Sequence, residues 1–221
     1  MTDESRDENA GSTRAGVILA GGRSTRFGDA DKAFADLAGV PMVRRVAERV
    51  GSVTDELVVN CRADQRRRMD DEVAEWPQPV TVAVDQEPDQ GPMAGIATGL
   101  RATNAEYAAV VACDMPFVDP DFVDFLFERA ASADAAVPRR TDGWYQTTQA
   151  VYRTDSMLEA CDSALERGEG KILAPLETLE YAVVDDETVT RHASTETFEN
   201  VNTRAEFEAA TEPIRDEEDS S

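Results

Sequence analysis

The length, composition and charge of this chain restrict the classes of protein to which it can belong. Its 221 residues, 41% of them hydrophobic, suit one large α/β domain with a substantial core. The 45 acidic and 22 basic residues give a formal net charge of −23 at pH 7, which argues against nucleic acid as a partner. Only two of the basic residues are lysines, and an acidic, lysine-poor surface is typical of a halophilic, soluble protein in a salt-rich cytoplasm. An acidic interaction surface is the less favoured alternative, because the acidic residues are spread along the whole chain.

The two ends of the chain differ in composition from the rest. Residues 1–14 and 212–221 are polar and acidic, so we expect two disordered tails around a single domain over residues 15–211. No basic region precedes an apolar stretch at the N-terminus, and no apolar run approaches the ~20 residues of a bilayer span. We therefore expect a cytoplasmic protein that makes no contact with membranes.

Cysteine and histidine are too few for several kinds of site. The three cysteines are odd in number and widely spaced, which argues against a disulfide framework and against a CxxC metal site. We expect Cys61, Cys113 and Cys161 to be reduced packing residues. The single histidine, His192, excludes a metal site of several histidines, and a catalytic triad would depend on it alone.

Apolar strands and helical segments alternate along the chain. This order predicts a mostly parallel sheet with helices on both faces, a three-layer, doubly wound α/β fold. The predicted strands lie near residues 16–20, 55–60, 80–84, 106–112 and 134–137. The predicted helices cover residues 41–50, 63–75, 92–103 and 120–132. The alternation is regular over about 15–138, whereas about 139–211 mixes strand and helix and is predicted to bind a substrate.

The first predicted strand runs into the glycine-rich stretch LAGGRSTRFGDADK. Gly21 and Gly22 let the backbone approach a ligand closely, and exposed N–H groups in such a loop bind phosphate oxygens. Two glycines alone also fit a simple tight turn. Three cations, Arg23, Arg26 and Lys32, favour a polyphosphate and hence a nucleotide.

The spacing of this loop differs from two common phosphate-binding loops. A P-loop requires Gly-Lys-Ser/Thr directly after its glycines, and the dinucleotide fingerprint requires G-x-G-x-x-G. Here Gly21 and Gly22 are followed by five residues and then Gly28. A hydride-transfer enzyme of the dinucleotide-binding class is therefore not expected.

Polar residues stand where the next three predicted strands end. Asn60 is the last residue of the second predicted strand, and Asp85 and Asp114 follow the third and fourth. Ligands of open parallel sheets bind beyond the carboxyl ends of the strands. Asp114 could offer a carboxylate to Mg²⁺, although a lone aspartate at a strand end is more often a cap or turn residue. After the third strand, Gly91 to Gly95 could place a helix N-terminus against a nucleotide or serve close packing of that helix.

Five motifs in this order resemble the molybdenum cofactor guanylyltransferase family, one of the Rossmann-like nucleotidyltransferases with a GT-A-like fold. The resemblance covers about 15–210. Its motifs are LAGGRSTRFGDADK (19–32), LVVN (57–60), GPMAGI (91–96), CDMP (113–116) and FENVNT (198–203). Each motif is weakly specific alone, whereas their order and spacing together favour this family over its cytidylyltransferase relatives.

The resemblance implies a nucleotide site in the first half of the domain, about 15–138. Its backbone contacts to GTP would come from Leu19, Ala20 and Gly21. The guanosine portion would be contacted by Asn60 and Asp85. The second half, about 139–211, would bind the acceptor.

The resemblance also implies the residues that act on the phosphates. Lys32 would contact the phosphates of GTP, and Arg26 matches the loop arginine of the family. Asp114 would bind both the nucleotide and Mg²⁺. Asn200 and Asn202 match a late asparagine pair near the reacting phosphates.

The reaction that this family performs would use two small-molecule substrates. GMP would pass from GTP to the terminal phosphate of molybdopterin or Mo-molybdopterin, with release of pyrophosphate, and molybdoenzyme apoproteins or their chaperones could receive the product. The alternatives are a CTP-using molybdopterin cytidylyltransferase, a guanylyltransferase for a cobamide precursor or phospholactate, and a non-catalytic GTP-binding partner in cofactor insertion. One departure from the family, Gln146-Thr147-Thr148-Gln149 before Ala-Val-Tyr, concerns recognition of the acceptor.

Overall fold

The structure, a computed structural model, describes residues 12–23, 31–86 and 90–219. The strands within these residues are β1 (Arg14–Leu19), β2 (Asp36–Leu37), β3 (Val40–Pro41), β4 (Glu56–Cys61), β5 (Val80–Val84), β6 (Tyr107–Ala112), β7 (Ala135–Arg139), β8 (Gln149–Arg153) and β9 (Tyr181–Asp185). The α-helices are α1 (Met42–Gly51), α2 (Arg66–Val73), α3 (Pro92–Leu100), α4 (Pro120–Ala130), α5 (Thr154–Glu166), α6 (Asp186–His192) and α7 (Arg204–Asp219). Short 3₁₀ helices cover Lys32–Phe34, Ala174–Glu177 and Thr195–Phe198.

A seven-stranded sheet has the order β5-β4-β1-β6-β8-β7-β9. All neighbouring pairs are parallel except those that involve β8, which runs antiparallel to both β6 and β7. The predicted fold class and its five strands are confirmed. Strand β8 was not among the predicted elements. Its antiparallel direction could not be predicted either, because an apolar run carries no information about strand direction.

Helices cover both faces of this sheet, as the alternation along the chain predicted. Successive residues of a strand point to opposite faces, so Ile18 joins the core under α1 and α4, whereas Val17 joins the core under α3 and α5. Val110 and Val111 divide in the same way. The strands are consequently apolar on both sides, which is typical of a sheet buried between two helical layers.

The C-terminal segment differs from the prediction. Residues 212–219, expected to be part of a disordered tail, continue helix α7 to Asp219. A capping box starts this helix, because Glu206 accepts from the backbone N–H of Thr203 (2.9 Å) and Thr203 Oγ1 accepts from that of Glu206 (3.2 Å). Ala210 then packs against Leu37. The cap and this contact stabilise a helix that composition alone did not indicate.

Smaller differences concern boundaries. Pro41 precedes α1 as its N-cap instead of occupying its first turn, and α2 begins at Arg66, three residues later than expected. β1 begins at Arg14, one residue before the predicted start of the domain. No helix in the described part of the chain is long and apolar enough to cross a membrane, and the cytoplasmic location stays a prediction.

The three cysteines are free. Burial raises the pKa of the Cys61 thiol to about 11 and those of Cys113 and Cys161 to about 12. Thiolates are the reactive form of cysteine, so these side chains are unreactive near neutral pH. This agrees with the packing role expected for them.

Candidate active site

The carboxyl ends of four adjacent parallel strands form one edge of the sheet. β5, β4, β1 and β6 lie side by side, and backbone hydrogen bonds extend their pairing past the strand ends, from Ala20 N to Asn60 O (2.8 Å) and from Asp85 N to Cys61 O (2.9 Å). The polar residues predicted from the strand ends are therefore brought to one edge. A crevice at such an edge is where ligands bind in open α/β sheets.

A cavity of about 350 Å³ lies between the end of β1 and the start of α3. Its lining includes Leu19 and Gly21 at the end of β1, Asn60 and Asp85, and Gly91 at the start of α3. Gly91 has φ +82°, a left-handed conformation that favours glycine. The cavity thus combines apolar walls with a few oriented polar groups, as small-ligand sites do.

Asn60 and Asp85 form a fixed pair within this cavity. Asn60 is 2% exposed and donates from Nδ2 to Asp85 Oδ1 at 2.7 Å. A Cβ atom on Gly21 would lie 2.7 Å from Asp85 Oδ2, and one on Gly95 would lie 2.8 Å from Asn60 Oδ1. Glycine at both positions therefore leaves these oxygens room. The GPMAGI motif serves this close approach at Gly95.

The ammonium group of Lys32 has two oxygen partners at the same edge of the sheet. Its side chain is nearly buried, at 8% exposure, and Nζ donates to Asp114 Oδ2 and to Asn202 Oδ1, both at 2.8 Å. A backbone hydrogen bond from Val201 N to Asp114 O (2.8 Å) joins the late asparagine segment to the end of β6. Three motifs that are far apart in sequence thus meet at one ammonium group.

The two carboxylate oxygens of Asp114 have different surroundings. Oδ2 receives Lys32, whereas Oδ1 is buried and accepts no hydrogen bond from the described residues. A carboxylate oxygen of this kind fits a hard cation such as Mg²⁺. The described residues contain no group of three or more histidine, cysteine or acidic side chains that could hold a metal.

The predicted site residues do not all share one environment. Asn202 accepts a hydrogen bond from Lys32, whereas Asn200 is exposed and makes no hydrogen bond to Lys32 in the part of the chain that the structure describes. Ala20 is buried, and its carbonyl accepts from Gln65 Nε2 at 3.0 Å. Arg26 lies outside the described residues.

Two polar residues at the site had not been predicted. Arg62 donates to the carbonyls of Gly21 and Gly22, and Gln65, which is 2% exposed, donates to that of Ala20. Arg62 comes directly after β4, and Gln65 directly precedes α2. Their proximity to that strand end was the available signal, but long polar side chains after a strand are common on protein surfaces.

The departure at residues 146–149 lies at the same edge. The loop between β7 and β8 leaves the carboxyl end of β7, and Thr148 O accepts from Ala112 N at 3.0 Å. Gln149 is fully buried and donates from Nε2 to Thr197 Oγ1 at 2.6 Å, and Thr147 O accepts from the Tyr152 hydroxyl at 2.9 Å. These contacts give part of the departure a structural role at the end of β6.

Comparison with known proteins reveals a consistent set of relatives. The family model described as MobA-like NTP transferase domain matches residues 16–181. A probable molybdenum cofactor guanylyltransferase of Natronomonas pharaonis is 51% identical over 201 residues, which cover 91% of this chain and 98% of that protein. A probable molybdenum cofactor guanylyltransferase of Methanosarcina mazei is 34% identical over 93% of this chain and 92% of its own length.

Solved structures give the same result for the fold. The molybdopterin-guanine dinucleotide biosynthesis protein A of Archaeoglobus fulgidus superposes with a TM-score of 0.75 at 25% identity, over 91% of this chain and 99% of that chain. The 4-diphosphocytidyl-2C-methyl-D-erythritol synthase of Anaerococcus prevotii superposes with a TM-score of 0.69 at 11% identity, over 92% of this chain and 99% of that one. The second likeness concerns the fold alone.

Proposed function

The chain belongs to the family of MobA-like NTP transferases, and from this premise we propose that it transfers GMP from GTP to the terminal phosphate of molybdopterin or Mo-molybdopterin. Pyrophosphate is the second product. The observation that carries the proposal is the meeting of Lys32, Asp114 and Asn202 at the same sheet edge as the Asn60–Asp85 cavity. The names of the relatives support this choice of substrates.

The nucleoside of GTP would occupy the cavity at the end of β1. Asp85 can accept hydrogen bonds from the guanosine portion, and Asn60 holds its carboxylate in place. The backbone of Gly21 borders the same cavity without a side chain in the way. Recognition by a fixed, half-buried acceptor disfavours ligands that lack the matching donor, because the acceptor would be left unpaired.

The triphosphate would lie toward Lys32. The Lys32 ammonium is already held by two oxygens, so little reorganisation is needed when negative charge develops on the departing pyrophosphate. Asp114 Oδ1 would hold Mg²⁺, which when bound supplies positive charge to the phosphate oxygens. Asn202 keeps the Lys32 side chain directed to this place.

The reaction requires positioning more than proton transfer. An oxygen of the acceptor phosphate forms a bond to the α-phosphorus of GTP, and the bond from that phosphorus to the bridging oxygen of the β-phosphate breaks. A phosphate monoester is already anionic near neutral pH, so no strong general base is needed. The main task of the protein is to hold two anionic groups in line, which Lys32 assists by reducing their repulsion.

The proposal is tested by pyrophosphate release in concentrated KCl with Mg²⁺ and molybdopterin, with GTP compared with CTP, ATP and UTP. Release that is selective for GTP and that requires molybdopterin is the expected result. Selective release with CTP would contradict the choice of nucleotide and favour a cytidylyltransferase. If GTP binds but no pyrophosphate is released with molybdopterin, a cobamide precursor or phospholactate as acceptor, catalysis is contradicted. A non-catalytic GTP-binding partner would then be favoured.

A further inference from the structure

Arg62 connects two segments that both carry residues of the candidate active site. Its Nη1 donates to Gly22 O at 2.8 Å and to Gly21 O at 3.3 Å. Its Nη2 donates to Asp31 Oδ2 at 2.8 Å. The guanidinium therefore joins the backbone after β1 to the residue that directly precedes Lys32.

Gln65 makes the same connection a second time. Its Nε2 donates to Ala20 O at 3.0 Å and to Asp31 Oδ2 at 2.7 Å, and its Oε1 accepts from Arg62 N at 2.8 Å. The side chains of Arg62 and Asp31 are 15% and 21% exposed, and Gln65 is 2% exposed. We call Arg62, Gln65 and Asp31 the Arg62 clamp.

Asp31 transmits this connection to Lys32. It is the N-cap of the 3₁₀ helix Lys32–Phe34, and its Oδ1 accepts from Ala33 N at 3.2 Å. Its other oxygen, Oδ2, accepts from Arg62 and Gln65. One carboxylate thus caps the helix and fixes that helix to the clamp.

The hydrogen bonds of Arg62 leave no donor for a phosphate. Besides the three bonds above, Nε donates to Asp64 Oδ1 at 3.1 Å and Nη2 to Asp64 Oδ2 at 3.3 Å. A guanidinium has five N–H groups, and all five are used. Burial lowers the pKa of Arg62, but its hydrogen bonds to Asp64 and Asp31 outweigh this and hold the pKa above its ordinary value. The two carboxylates also compensate its charge.

We propose that Arg62 is a positioning residue that fixes the Lys32 ammonium relative to the nucleotide-facing backbone of Gly21 and Gly22. This inference rests on the proposed function of that site. Neither segment fixes itself, because glycine has a wide choice of backbone conformations and a 3₁₀ helix of three residues is short and weakly bonded. A planar fork can bond both segments at once, which a lysine ammonium cannot do with the same geometry.

The test compares Arg62→Ala and Arg62→Lys with Arg66→Ala, a matched control whose side chain is half exposed and pairs with Asp70 on the same helix. We expect kcat/KM for GTP to fall roughly 10²-fold in Arg62→Ala, with little recovery in Arg62→Lys and a change within about twofold in Arg66→Ala. Amide hydrogen exchange should become faster in both joined segments, Ala20–Gly22 and Lys32–Phe34, in Arg62→Ala and Arg62→Lys but not in Arg66→Ala.

Full recovery in Arg62→Lys would overturn the proposal, because charge alone would then suffice. Unchanged exchange and unchanged turnover in Arg62→Ala would overturn it as well. If the wild-type protein releases no pyrophosphate, the proposed function fails. The Arg62 clamp is then tested separately, by amide hydrogen exchange in the two segments and by the affinity for Mg·GTP. Should Arg62→Ala not fold, Gln65→Met, which removes two of the connecting donors, should show the same two changes to a smaller extent.

Discussion

The Lys32 ammonium depends on its neighbours because almost no water reaches it. Burial of a charged group is costly unless it is paired and hydrogen-bonded, and Asp114 and Asn202 supply both conditions at 2.8 Å. On the proposed function Asp114 has a second task, because its Oδ1, which accepts no hydrogen bond from the described residues, would hold Mg²⁺. A change at Asp114 should therefore affect catalysis through two contacts.

Asp114→Asn keeps the shape of the side chain and removes its charge. We expect pyrophosphate release to fall roughly 10²-fold or more, because one preorganised electrostatic contact contributes about that much. The measurement is the initial rate at saturating GTP and a range of Mg²⁺ concentrations. Asp70→Asn, on the exposed side of α2, is the control, and a wild-type rate in Asp114→Asn would refute the role of this carboxylate.

The site residues divide into those that local sequence can predict and those that it cannot. Asn60 lies at the end of β4, and Asp85 and Asp114 follow β5 and β6. The geometry of a parallel sheet then brings all three to one edge. Arg62 and Gln65 act on carbonyls and on a carboxylate more than 30 positions away. Such contacts depend on the relative placement of two loops, which no local pattern encodes.

At the scale of elements, helix α3 serves the site with one glycine and the core with another. A Cβ on Gly95 would lie 2.8 Å from Asn60 Oδ1, whereas a Cβ on Gly99 would lie 2.4 Å from Cγ1 of buried Val17. The two glycines lie on adjacent turns of the same helix. The two glycines, four residues apart, thus give room to different neighbours, Gly95 to a residue of the site and Gly99 to a residue of the core.

Alanine at these two positions should separate binding from stability. We expect Gly95→Ala to weaken GTP affinity roughly tenfold, equivalent to about 1.4 kcal/mol, with a small effect on unfolding. We expect Gly99→Ala to lower the free energy of unfolding by about 1–3 kcal/mol, because valine is rigid and the core is closely packed. Calorimetric titration and urea unfolding measure the two quantities, with Gly170→Ala, which meets no atom within 4 Å, as the control. Equal effects on both quantities in both variants would contradict this division.

The start of α7 is also connected to the site. Glu206 accepts from the backbone N–H of Asn202 at 2.7 Å and of Thr203 at 2.9 Å, and these bonds lower the pKa of its carboxyl group. Because the folded-state pKa is lowered, this stabilisation is present above the ordinary glutamate pKa and is lost as pH falls through the folded-state value.

Glu206→Gln should therefore reduce stability near neutral pH and have little effect in acid. We expect the difference in urea midpoint between wild type and Glu206→Gln to shrink as pH falls below about 4. Unfolding curves at a series of pH values measure this difference. Glu208→Gln is the control, because Glu208 pairs with Arg204 on the exposed surface of the helix. A difference that stays constant with pH would show that the carboxylate charge is not responsible.

The elements themselves were predicted unequally. Strands β1, β4, β5, β6 and β7 and helices α1 to α4 follow from apolar periodicity and turn residues. The direction of β8 and its place in the sheet could not be predicted, because both depend on tertiary pairing, here with Tyr107–Val111. Helix α7 was missed because acidic composition hid the Thr203–Glu206 capping box.

At the scale of the whole molecule, the formal net charge of −23 is the dominant feature. Like charges repel in the compact state more than in the extended chain, so self-repulsion opposes folding. Dissolved salt shortens the range of this repulsion, from about 10 Å at 0.1 M to about 3 Å at 1 M. The stability of the fold should thus depend on ionic strength.

We expect the thermal midpoint of unfolding to rise steadily from about 0.1 M to about 2 M KCl, as the screening length becomes shorter than the spacing of surface charges. Differential scanning calorimetry measures the midpoint. Sucrose at equal osmolality is the control, because it favours burial without screening charge. A midpoint that stays level or falls with KCl would contradict the role of self-repulsion.

The scarcity of lysine also makes this molecule convenient for chemical labelling. Amine-directed acylation can modify only Lys32, Lys171 and an N-terminal amine. Lys171 is exposed, whereas Lys32 is 7% exposed. A freely diffusing reagent should mark Lys171 first, and a guanosine nucleotide with a reactive acyl group on its terminal phosphate should mark Lys32. Mass mapping of the peptide that contains Lys32 would then report occupancy of the proposed nucleotide site in the unaltered protein.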